Sequence, residues 1–96
     1  MFIEIAQFTI QAGKGADFAQ VAGALIPEIR ALDGCSDVEL VRISETGDRY
    51  VMLMRWKTQE ALAAFYGTGT AKKIAPIAEA FFSAPPIIDH GQVISQ

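Results

Sequence analysis

The stretch "YVMLMRWKTQEALAAFY" (residues 50–66) changes its hydrophobic pattern halfway along. Between Tyr50 and Trp56 bulky or apolar residues occupy odd-numbered and even-numbered positions alike. These positions point to opposite faces of a strand, so the pattern predicts a β-strand that is covered on both faces. After Thr58, apolar residues such as Leu62 recur at helical spacing, which predicts a helix. A small domain rarely has enough other chain to cover both faces of such a strand, so the second face needs its own explanation.

The composition of the chain is that of one folded domain. It has 96 residues, of which 51% are hydrophobic, and a mean hydropathy of +0.26, whereas disordered chains have the opposite balance. A net charge of −3 and an isoelectric point near 4.9 argue against nucleic acid as a partner, because nucleic-acid binding needs a basic surface. We therefore expect a single domain over residues 1–96 that does not bind nucleic acid.

The sequence also lacks the features of a membrane or secreted protein. No apolar run approaches the roughly 18–20 residues of a membrane span. The N-terminus has neither the basic region nor the cleavage site of a signal peptide. The single cysteine excludes an internal disulfide framework. These features predict a cytoplasmic protein without a membrane partner.

Turn residues divide the chain into six predicted elements. The order β-α-β-β-α-β predicts a ferredoxin-like α+β fold, which is a four-stranded antiparallel sheet with helices on one face. In chain order the elements are strand one (2–11), a helix (16–32), strand two (38–44), strand three (49–56), a second helical region (58–66 and 71–82) and a last strand (87–95).

Two features interrupt the helical patterns. Pro27 lies inside the first helix, where a proline removes one hydrogen bond, so we expect a single kinked helix over residues 16–32. The sequence "GTGT" (67–70) interrupts the second helical region. Because it lacks the lysine and the preceding strand of a phosphate-binding loop, we interpret it as a flexible hinge that gates a pocket mouth.

The predicted sheet has a second apolar face. Strands one, three and four carry apolar residues at both parities, whereas the helices cover only one side of the sheet. An exposed apolar face of several hundred Å² marks an interface, and a two-fold homodimer is the simplest closed arrangement. We therefore predict a homodimer through this face of the sheet, with Met54 in the interface.

Four stretches of the chain carry a resemblance to a known family. They are "IAQFTIQAGKGADFAQV" (5–21), "IRALDGCSDVELVR" (29–42), "YVMLMRWKTQEALAAF" (50–65) and "AKKI" (71–74). In this order they resemble the antibiotic biosynthesis monooxygenase-like (ABM) domains of the dimeric α/β-barrel superfamily. The resemblance implies a homodimer whose two sheets form a barrel, with a pocket in each subunit between the sheet and the helices.

The resemblance also has implications for the chemistry. Some members oxygenate aromatic polyketides with molecular oxygen and without metal or flavin, and others degrade haem or remove small reactive compounds. The haem-degrading relatives use an Asn on strand one and a Trp and a His in the second helical region, where this chain has Phe8, Phe65 and Ala75. Because these side chains cannot ligate iron or bond to bound oxygen, we expect no haem, and likewise no metal, flavin or other cofactor.

His90, the only histidine, is the candidate general base for a phenolic substrate. The alternative is that His90 is a hydrogen-bonded structural residue, since Asp89 beside it points to the opposite face of the strand. The sequence contains no cluster of Cys, His and carboxylate residues at the spacing of metal ligands. His90 therefore remains a candidate without a predicted partner.

Four aromatic residues are the candidates for the walls of the pocket. Phe65 and Tyr66 are adjacent on a helix, about 100° apart, so we expect only one of them to point fully inward. The spacing from Leu62 selects Phe65 as the inward residue and leaves Tyr66 at the rim. The predicted pocket residues are Phe8, Trp56, Phe65 and Tyr66. The alternatives are that Trp56 packs in the core or in an interface, and that Phe65 fills the core and leaves no cavity.

Two functions are compatible with these expectations. The first is a cofactor-independent monooxygenase-like enzyme that acts on a small apolar or aromatic compound. The second is a non-catalytic binding or accessory barrel that holds a hydrophobic small molecule, which the shortage of polar pocket residues favours. An oxygen-uptake assay separates the two functions.

Overall fold

The structure, a computed structural model, describes residues 1–95. None of the helices in this part of the chain is long and apolar enough to cross a membrane. In chain order the elements are β1 (Phe2–Thr9), α1 (Gly15–Gly23), α2 (Ile26–Arg30), β2 (Cys35–Arg42), β3 (Arg49–Trp56), α3 (Gln59–Phe65), α4 (Gly69–Lys72), α5 (Ile74–Phe81) and β4 (Ile87–Gln92).

The four strands form one antiparallel sheet in the order β2-β3-β1-β4. The strand β1 pairs with β3 on one side, where Phe2 lies opposite Trp56, and with β4 on the other, where Glu4 lies opposite His90. The helices pack on one face of this sheet. The predicted ferredoxin-like α+β fold is therefore confirmed.

The core lies between the helices and the even-numbered residues of β1 and β3. Successive side chains of a strand point to opposite faces, so burial alternates along both strands. The buried residues of these two strands are Glu4, Ala6, Phe8, Tyr50, Met52, Met54 and Trp56, and the helices bring Phe18, Ala22, Ile29, Leu62 and Phe65 against them.

The first helical region contains two helices, and the prediction of one kinked helix is wrong. The helix α1 ends at Gly23, and α2 begins at Ile26 with Pro27 in its first turn. A proline in the first turn of a helix costs no hydrogen bond, because the first N–H groups of a helix have no intrahelical acceptor. The chain therefore starts a new helix at Ile26, one residue before Pro27, after a two-residue turn at Ala24 and Leu25.

The second helical region contains three helices, and two of them have a threonine as the N-cap residue. Thr58 and Thr68 are the N-caps of α3 and α4, and each side chain accepts a hydrogen bond from the backbone N–H three residues later. The hydroxyl of Thr68 also donates a hydrogen bond to the carbonyl oxygen of Phe65, at 2.7 Å. The "GTGT" segment is thus held by hydrogen bonds that connect the end of α3 to the start of α4.

The second face of the sheet carries the odd-numbered residues of β1 and β3. Ile3, Ile5, Val51 and Leu53 lie at its centre, where β1 pairs with β3, and all four are only partly buried. No helix within residues 1–95 packs against this face, because all the helices lie on the other side. The face is therefore apolar at its centre and open.

Met54 lies on the helix-facing side of the sheet, so the prediction that it lies on the open face is wrong. Its side chain is 2% exposed and belongs to the core. Met54 and Trp56 are two residues apart on β3, so their side chains point to the same face of the sheet. Met54 also pairs with Glu4 of β1, and Trp56 and Glu4 are both buried on the helix side. The neighbouring residue Leu53 is the one whose parity places it on the open face.

Candidate functional site

A cavity of about 320 Å³ lies between the sheet and the helices α3, α4 and α5. The strands contribute Ala6, Phe8, Met52 and Met54 to its floor, and Ile88 of β4 lies at its edge, 45% exposed. Apart from Glu4, Tyr66 and Lys72, all the side chains that line the cavity are apolar. The sheet and helices thus enclose an apolar space with few polar groups.

The cavity exists because the helices above it carry small side chains. Ala71, Ala75 and Ala78 all line it, and no residue of α5 is buried. Their methyl groups leave space that larger side chains would fill. One end is closed by Phe82, whose ring stacks on that of Phe8 with 4.8 Å between ring centroids.

The polar end of the cavity is a cluster of Glu4, Tyr66 and His90. The hydroxyl of Tyr66 donates a hydrogen bond to Oε1 of Glu4, and Nε2 of His90 lies 3.1 Å from the same oxygen. The hydroxyl of Tyr66 is 3.5 Å from Nε2 of His90. Both contacts to Glu4 use Oε1, so Oε2 has no hydrogen-bond partner within residues 1–95.

Three different elements bring this cluster together. Glu4 and His90 are cross-strand neighbours on β1 and β4 and share the helix-facing side of the sheet. Tyr66 is the C-cap residue of α3, with half of its surface exposed. The imidazole of His90 also stacks on the ring of Phe2, with 5.9 Å between ring centroids. These contacts fix the positions of the two side chains that contact the Glu4 carboxyl.

The Glu4 side chain is buried, and this changes its acidity. Glu4 is 3% exposed, and burial raises the pKa of its carboxyl above the ordinary value of 4.5. The hydrogen bond and the charge of His90 act in the opposite direction but do not cancel the effect of burial. A carboxyl with a raised pKa is a better proton acceptor at neutral pH than an ordinary glutamate.

The structure brings three of the four predicted pocket residues to the cavity. Phe8, Phe65 and Tyr66 line it, with Phe65 2% exposed and Tyr66 50% exposed. Trp56 does not line the cavity, although the centroid of its ring lies 5.3 Å from that of the Phe65 ring. Trp56 is the last residue of β3, one step beyond Met54 on the same face, and is completely buried. It therefore supports the wall of the cavity from behind.

His90 lies beside the cavity and lines a second groove, of about 250 Å³, together with Phe2, Leu62 and Tyr66. Tyr66 lines both spaces, so the cluster separates the apolar cavity from this outer groove. Asp89 lies opposite Ile5, on the open face, and is not part of the cluster. Of the ionisable carboxyl and imidazole groups, Glu4 is the one that lines the cavity.

Glu4 is the site residue that sequence reasoning missed. It is the one charged residue among the even-numbered positions of β1, where Phe2, Ala6 and Phe8 are apolar. A lone carboxylate at a position that the strand period assigns to the core is itself a signal, because buried charges need partners. His90, on a strand that the fold places beside β1, was the available partner.

Within residues 1–95 no three His, Cys, Asp or Glu side chains lie close enough together to hold a metal ion. Phe8, Phe65 and Ala75, which the family resemblance matches to the haem-degrading residues of relatives, all line the cavity. None of them offers a ligand to iron, so these positions supply only apolar surface.

Comparisons with known proteins agree with the fold. The sequence model of the antibiotic biosynthesis monooxygenase family matches residues 1–76, while no curated protein sequence matches the chain. A Nitrosomonas europaea structure provisionally named an antibiotic biosynthesis monooxygenase has a TM-score of 0.91 at 14% identity, and the alignment covers 99% of this chain and 100% of that one.

Two further solved structures are similar over nearly the whole chain. A Bordetella bronchiseptica protein with the same provisional name has a TM-score of 0.86 at 26% identity, over 98% of this chain and 97% of that one. A Pseudomonas aeruginosa protein has a TM-score of 0.86 at 21% identity, over 98% of this chain and 94% of that one. Since the family match alone spans more than three quarters of the sequence, the chain belongs to the antibiotic biosynthesis monooxygenase family.

Proposed function

We propose that the chain is a cofactor-independent monooxygenase that acts on a small aromatic compound with a hydroxyl group, bound in the cavity beside Glu4. The observation that carries this proposal is a buried carboxyl with a free oxygen at the polar end of an otherwise apolar cavity. Family membership supports the reaction class. The size of the cavity and the carboxyl of Glu4 support it as well, because this chemistry needs space for the substrate and a proton acceptor.

The volume of the cavity limits the size of the substrate. About 320 Å³ is at the lower end of the range for small-molecule sites, roughly 300–1,000 Å³. It corresponds to the liquid volume of about ten water molecules. A compound of one or two rings fits such a space with its apolar body against Phe8 and Phe65. The hydroxyl then meets Glu4.

The reaction we propose is the oxidation of a phenol to a quinone by molecular oxygen. Oε2 of Glu4 accepts the proton of the hydroxyl, and the phenolate ring, now electron-rich, reduces oxygen and forms a C–O bond at the carbon para to the hydroxyl. Loss of water from the resulting hydroperoxide leaves a carbonyl at that carbon. One oxygen atom ends in the quinone and the other in water, so phenol plus O₂ gives quinone plus H₂O.

Tyr66 and His90 are positioning residues in this scheme. They donate to Oε1 of Glu4, which leaves Oε2 without a protein partner and free to accept a proton from the substrate. The apolar walls keep water away from the phenolate, which strengthens the electrostatic interactions at the polar end. Lys72, the remaining polar residue of the lining, lies on α4 and supplies a positive charge at the edge of the site.

A second function, non-catalytic binding of a hydrophobic molecule, is favoured by one observation. Outside the Glu4 cluster and Lys72, the lining offers no group that can transfer a proton or form a hydrogen bond through its side chain. Such a cavity can retain an apolar compound without changing it. In that case Glu4 fixes the orientation of the ligand.

Oxygen uptake with a panel of one- and two-ring phenols and quinols tests the proposal. Binding is followed in parallel by the fluorescence of Trp56, whose ring contacts Phe65 at the wall of the cavity. We expect wild-type protein to consume oxygen, and Glu4→Gln to bind the same compound but to react about 10²–10⁴-fold more slowly. Glu60→Gln, an exposed residue in the first turn of α3, is the matched control and should leave the rate unchanged.

The outcomes separate the two functions. Saturable binding without oxygen uptake by any compound of the panel would leave the non-catalytic function. An equal rate for the Glu4→Gln variant and the wild type would remove Glu4 from the chemistry. If no compound of the panel binds and none is consumed with oxygen, both functions are contradicted.

We also infer that two copies of the chain pack through the open face of the sheet. The support is the row of partly buried apolar residues Ile3, Ile5, Val51 and Leu53 at its centre. A face of this kind on a monomer is exposed to water at a cost in free energy, which a second sheet packed against it removes.

A further inference from the structure

A second cleft lies at the other end of the helix-facing side of the sheet. It has a volume of about 490 Å³ and is located between the start of α1 and the β2–β3 hairpin. Tyr50 of β3 is its innermost side chain. The Glu4 cavity lies four residues further along the same strand, where Met54 pairs with Glu4. At about 3.3 Å per strand residue, the two sites are roughly 13 Å apart along the sheet. The cleft is therefore separate from the cavity at Glu4.

The start of α1 presents free backbone donors to this cleft. Gly15 and Ala16, the first residues of the helix, both line it. Lys14, the N-cap residue, makes no side-chain cap hydrogen bond, and Phe18 is the first residue of the helix whose N–H has an acceptor. Unpaired N–H groups and the positive end of the helix dipole favour a negatively charged group at this position.

Tyr50 brings a hydroxyl group without a protein partner to this cleft. The residue is 5% exposed, and its ring packs edge-on against Phe18 with 5.1 Å between ring centroids. Within residues 1–95 its hydroxyl has no hydrogen-bond partner, and it is not one of the fully buried polar atoms, so this end of the side chain is open to the cleft. The hydroxyl points at the start of α1, because a Cβ on Gly15 would lie 2.8 Å from it. The Tyr50 hydroxyl is therefore a hydrogen-bond donor in the cleft that has no acceptor among the described residues.

The charge of the cleft has one sign. Arg42 lines it from β2 and makes no salt bridge with any residue of the described chain. No Asp or Glu side chain lines the cleft, and Asp17, the acidic residue in the first turn of α1, is exposed outside it. The carbonyl oxygen of Gly47, 3.1 Å from the Cβ position of Gly15, is a backbone acceptor at the cleft. The guanidinium and the helix N–H groups only donate and the phenol hydroxyl can donate, so the complementary ligand is an acceptor with negative charge.

We propose that this cleft binds an oxyanion, the phosphate or carboxylate group of a small ligand. The N–H groups of Gly15 and Ala16, the hydroxyl of Tyr50 and the guanidinium of Arg42 are its donors. Ala19 and Leu40, which complete the wall, accommodate an apolar part next to the anionic group. The site does not depend on the function proposed for the Glu4 cavity.

Backbone amide chemical shifts of the full chain, titrated with inorganic phosphate and separately with acetate, test this proposal. We expect saturable shifts at Gly15 and Ala16 with a dissociation constant in the millimolar range. A tighter response to phosphate indicates a phosphate ligand, and a tighter response to acetate indicates a carboxylate ligand. The absence of saturation below about 50 mM for both anions would overturn the proposal.

Matched variants distinguish a built site from general attraction to positive charge. Arg42→Gln should weaken binding about tenfold, while Arg49→Gln, a cation in the same hairpin at an odd position that faces the other side of the sheet, should have no effect. Tyr50→Phe should weaken binding a few-fold without loss of stability, because the hydroxyl has no partner in the folded protein. Equal effects of the two arginine variants would overturn the proposal.

A third variant blocks the cleft by its shape. Gly15→Ala places a methyl group 2.8 Å from the Tyr50 hydroxyl and 3.1 Å from the carbonyl oxygen of Gly47, so it should abolish anion binding. Gly23→Ala, in the same helix, meets no atom within 4 Å and is the control. Full anion binding by a folded Gly15→Ala variant would show that the anion lies elsewhere.

Discussion

Glu4 lies on a strand face whose other residues are apolar, and its burial costs free energy that a hydrophobic residue at this position would not. The hydrogen bonds from Tyr66 and His90 offset part of this cost. The offset is incomplete, because burial still raises the pKa of the carboxyl. A residue that reduces stability at the edge of a cavity is more readily explained by a role in the site than by a role in folding.

The pH dependence of stability should reveal this cost. The pKa of Glu4 is higher in the folded than in the unfolded chain, where it is close to 4.5, so between the two values the folded state binds more protons. The contribution of Glu4 is therefore complete below about pH 4.5 and is lost as the pH rises through the raised pKa. Relative to wild type, Glu4→Gln should remove this fall in the free energy of unfolding, measured in urea from about pH 4 to 8.

Tyr66 and His90 are the groups in contact with the Glu4 carboxyl, and both remain in the glutamine variant. Glu60→Gln removes an exposed carboxyl and should give a curve parallel to that of wild type. Parallel curves for Glu4→Gln and wild type would show that Glu4 titrates alike in the folded and unfolded chain.

Phe65 both lines the cavity and packs in the core. It is 2% exposed and contacts Trp56 on its other side. Phe65→Ala should therefore cost about 3 kcal/mol of unfolding free energy, the lower end of the usual range, because one face of the ring already meets empty space. It should also admit a larger ligand. Phe65→Leu, which keeps most of the packing, serves as the control, and a loss below about 1 kcal/mol for the alanine variant would show that Phe65 is not part of the core.

The residues of the site could be predicted from the sequence only in part. Helical spacing places Phe65 inward and Tyr66 outward, because the period of a helix is local information. The partnership of Glu4 with His90 joins residues 86 positions apart, and it depends on the order of strands in the sheet, which no local pattern contains. The sequence predicts Trp56 as a pocket wall because an indole can stack on a planar substrate, but its distance from the cavity depends on where β3 ends.

At the scale of elements, caps and prolines determine where helices begin. The first helical region was predicted as one unit because its apolar stripe continues past Pro27. That stripe persists in the structure because α1 and α2 both pack on the same side of the sheet, so the periodicity is preserved across the break. Apolar spacing therefore indicates which side of a helical region is buried, and backbone chemistry decides whether the region is one helix or two.

The cap at Thr68 connects the end of α3 to the helices that cover the cavity. Its side chain accepts from the N–H of Ala71 and donates to the carbonyl oxygen of Phe65. Thr68→Ala should destabilise the protein by about 1 kcal/mol, as loss of an N-cap does. It should also increase the amide hydrogen exchange of α4 and weaken ligand retention in the cavity.

Thr70→Ala is the control for this prediction, since Thr70 lies in the same segment and caps no helix. Its effect on stability should be within about 0.5 kcal/mol. If both variants accelerate exchange equally, the connection through Thr68 is not what holds α4 over the cavity.

At the scale of the whole molecule, the order of elements was enough to predict the sheet, because few topologies are compatible with β-α-β-β-α-β and right-handed crossovers. The sequence also indicated that both faces of β3 are apolar. It did not indicate which residue belongs to which face, since Leu53 and Met54 are both apolar neighbours on one strand. A shift of one residue in the assumed parity exchanges the two faces, and this is the origin of the error at Met54.

That pair of neighbours provides a direct test of the homodimer. Leu53 is partly exposed on the open face, so Leu53→Asp should leave the subunit folded and convert a dimer into a monomer, measured by sedimentation and circular dichroism. Met54 is 2% exposed in the core, so Met54→Asp should unfold the chain, because a buried unpaired carboxylate costs several kcal/mol. A wild-type protein that sediments as a monomer at micromolar concentration would contradict the homodimer. A Leu53→Asp variant that remains a dimer would place the interface on another surface.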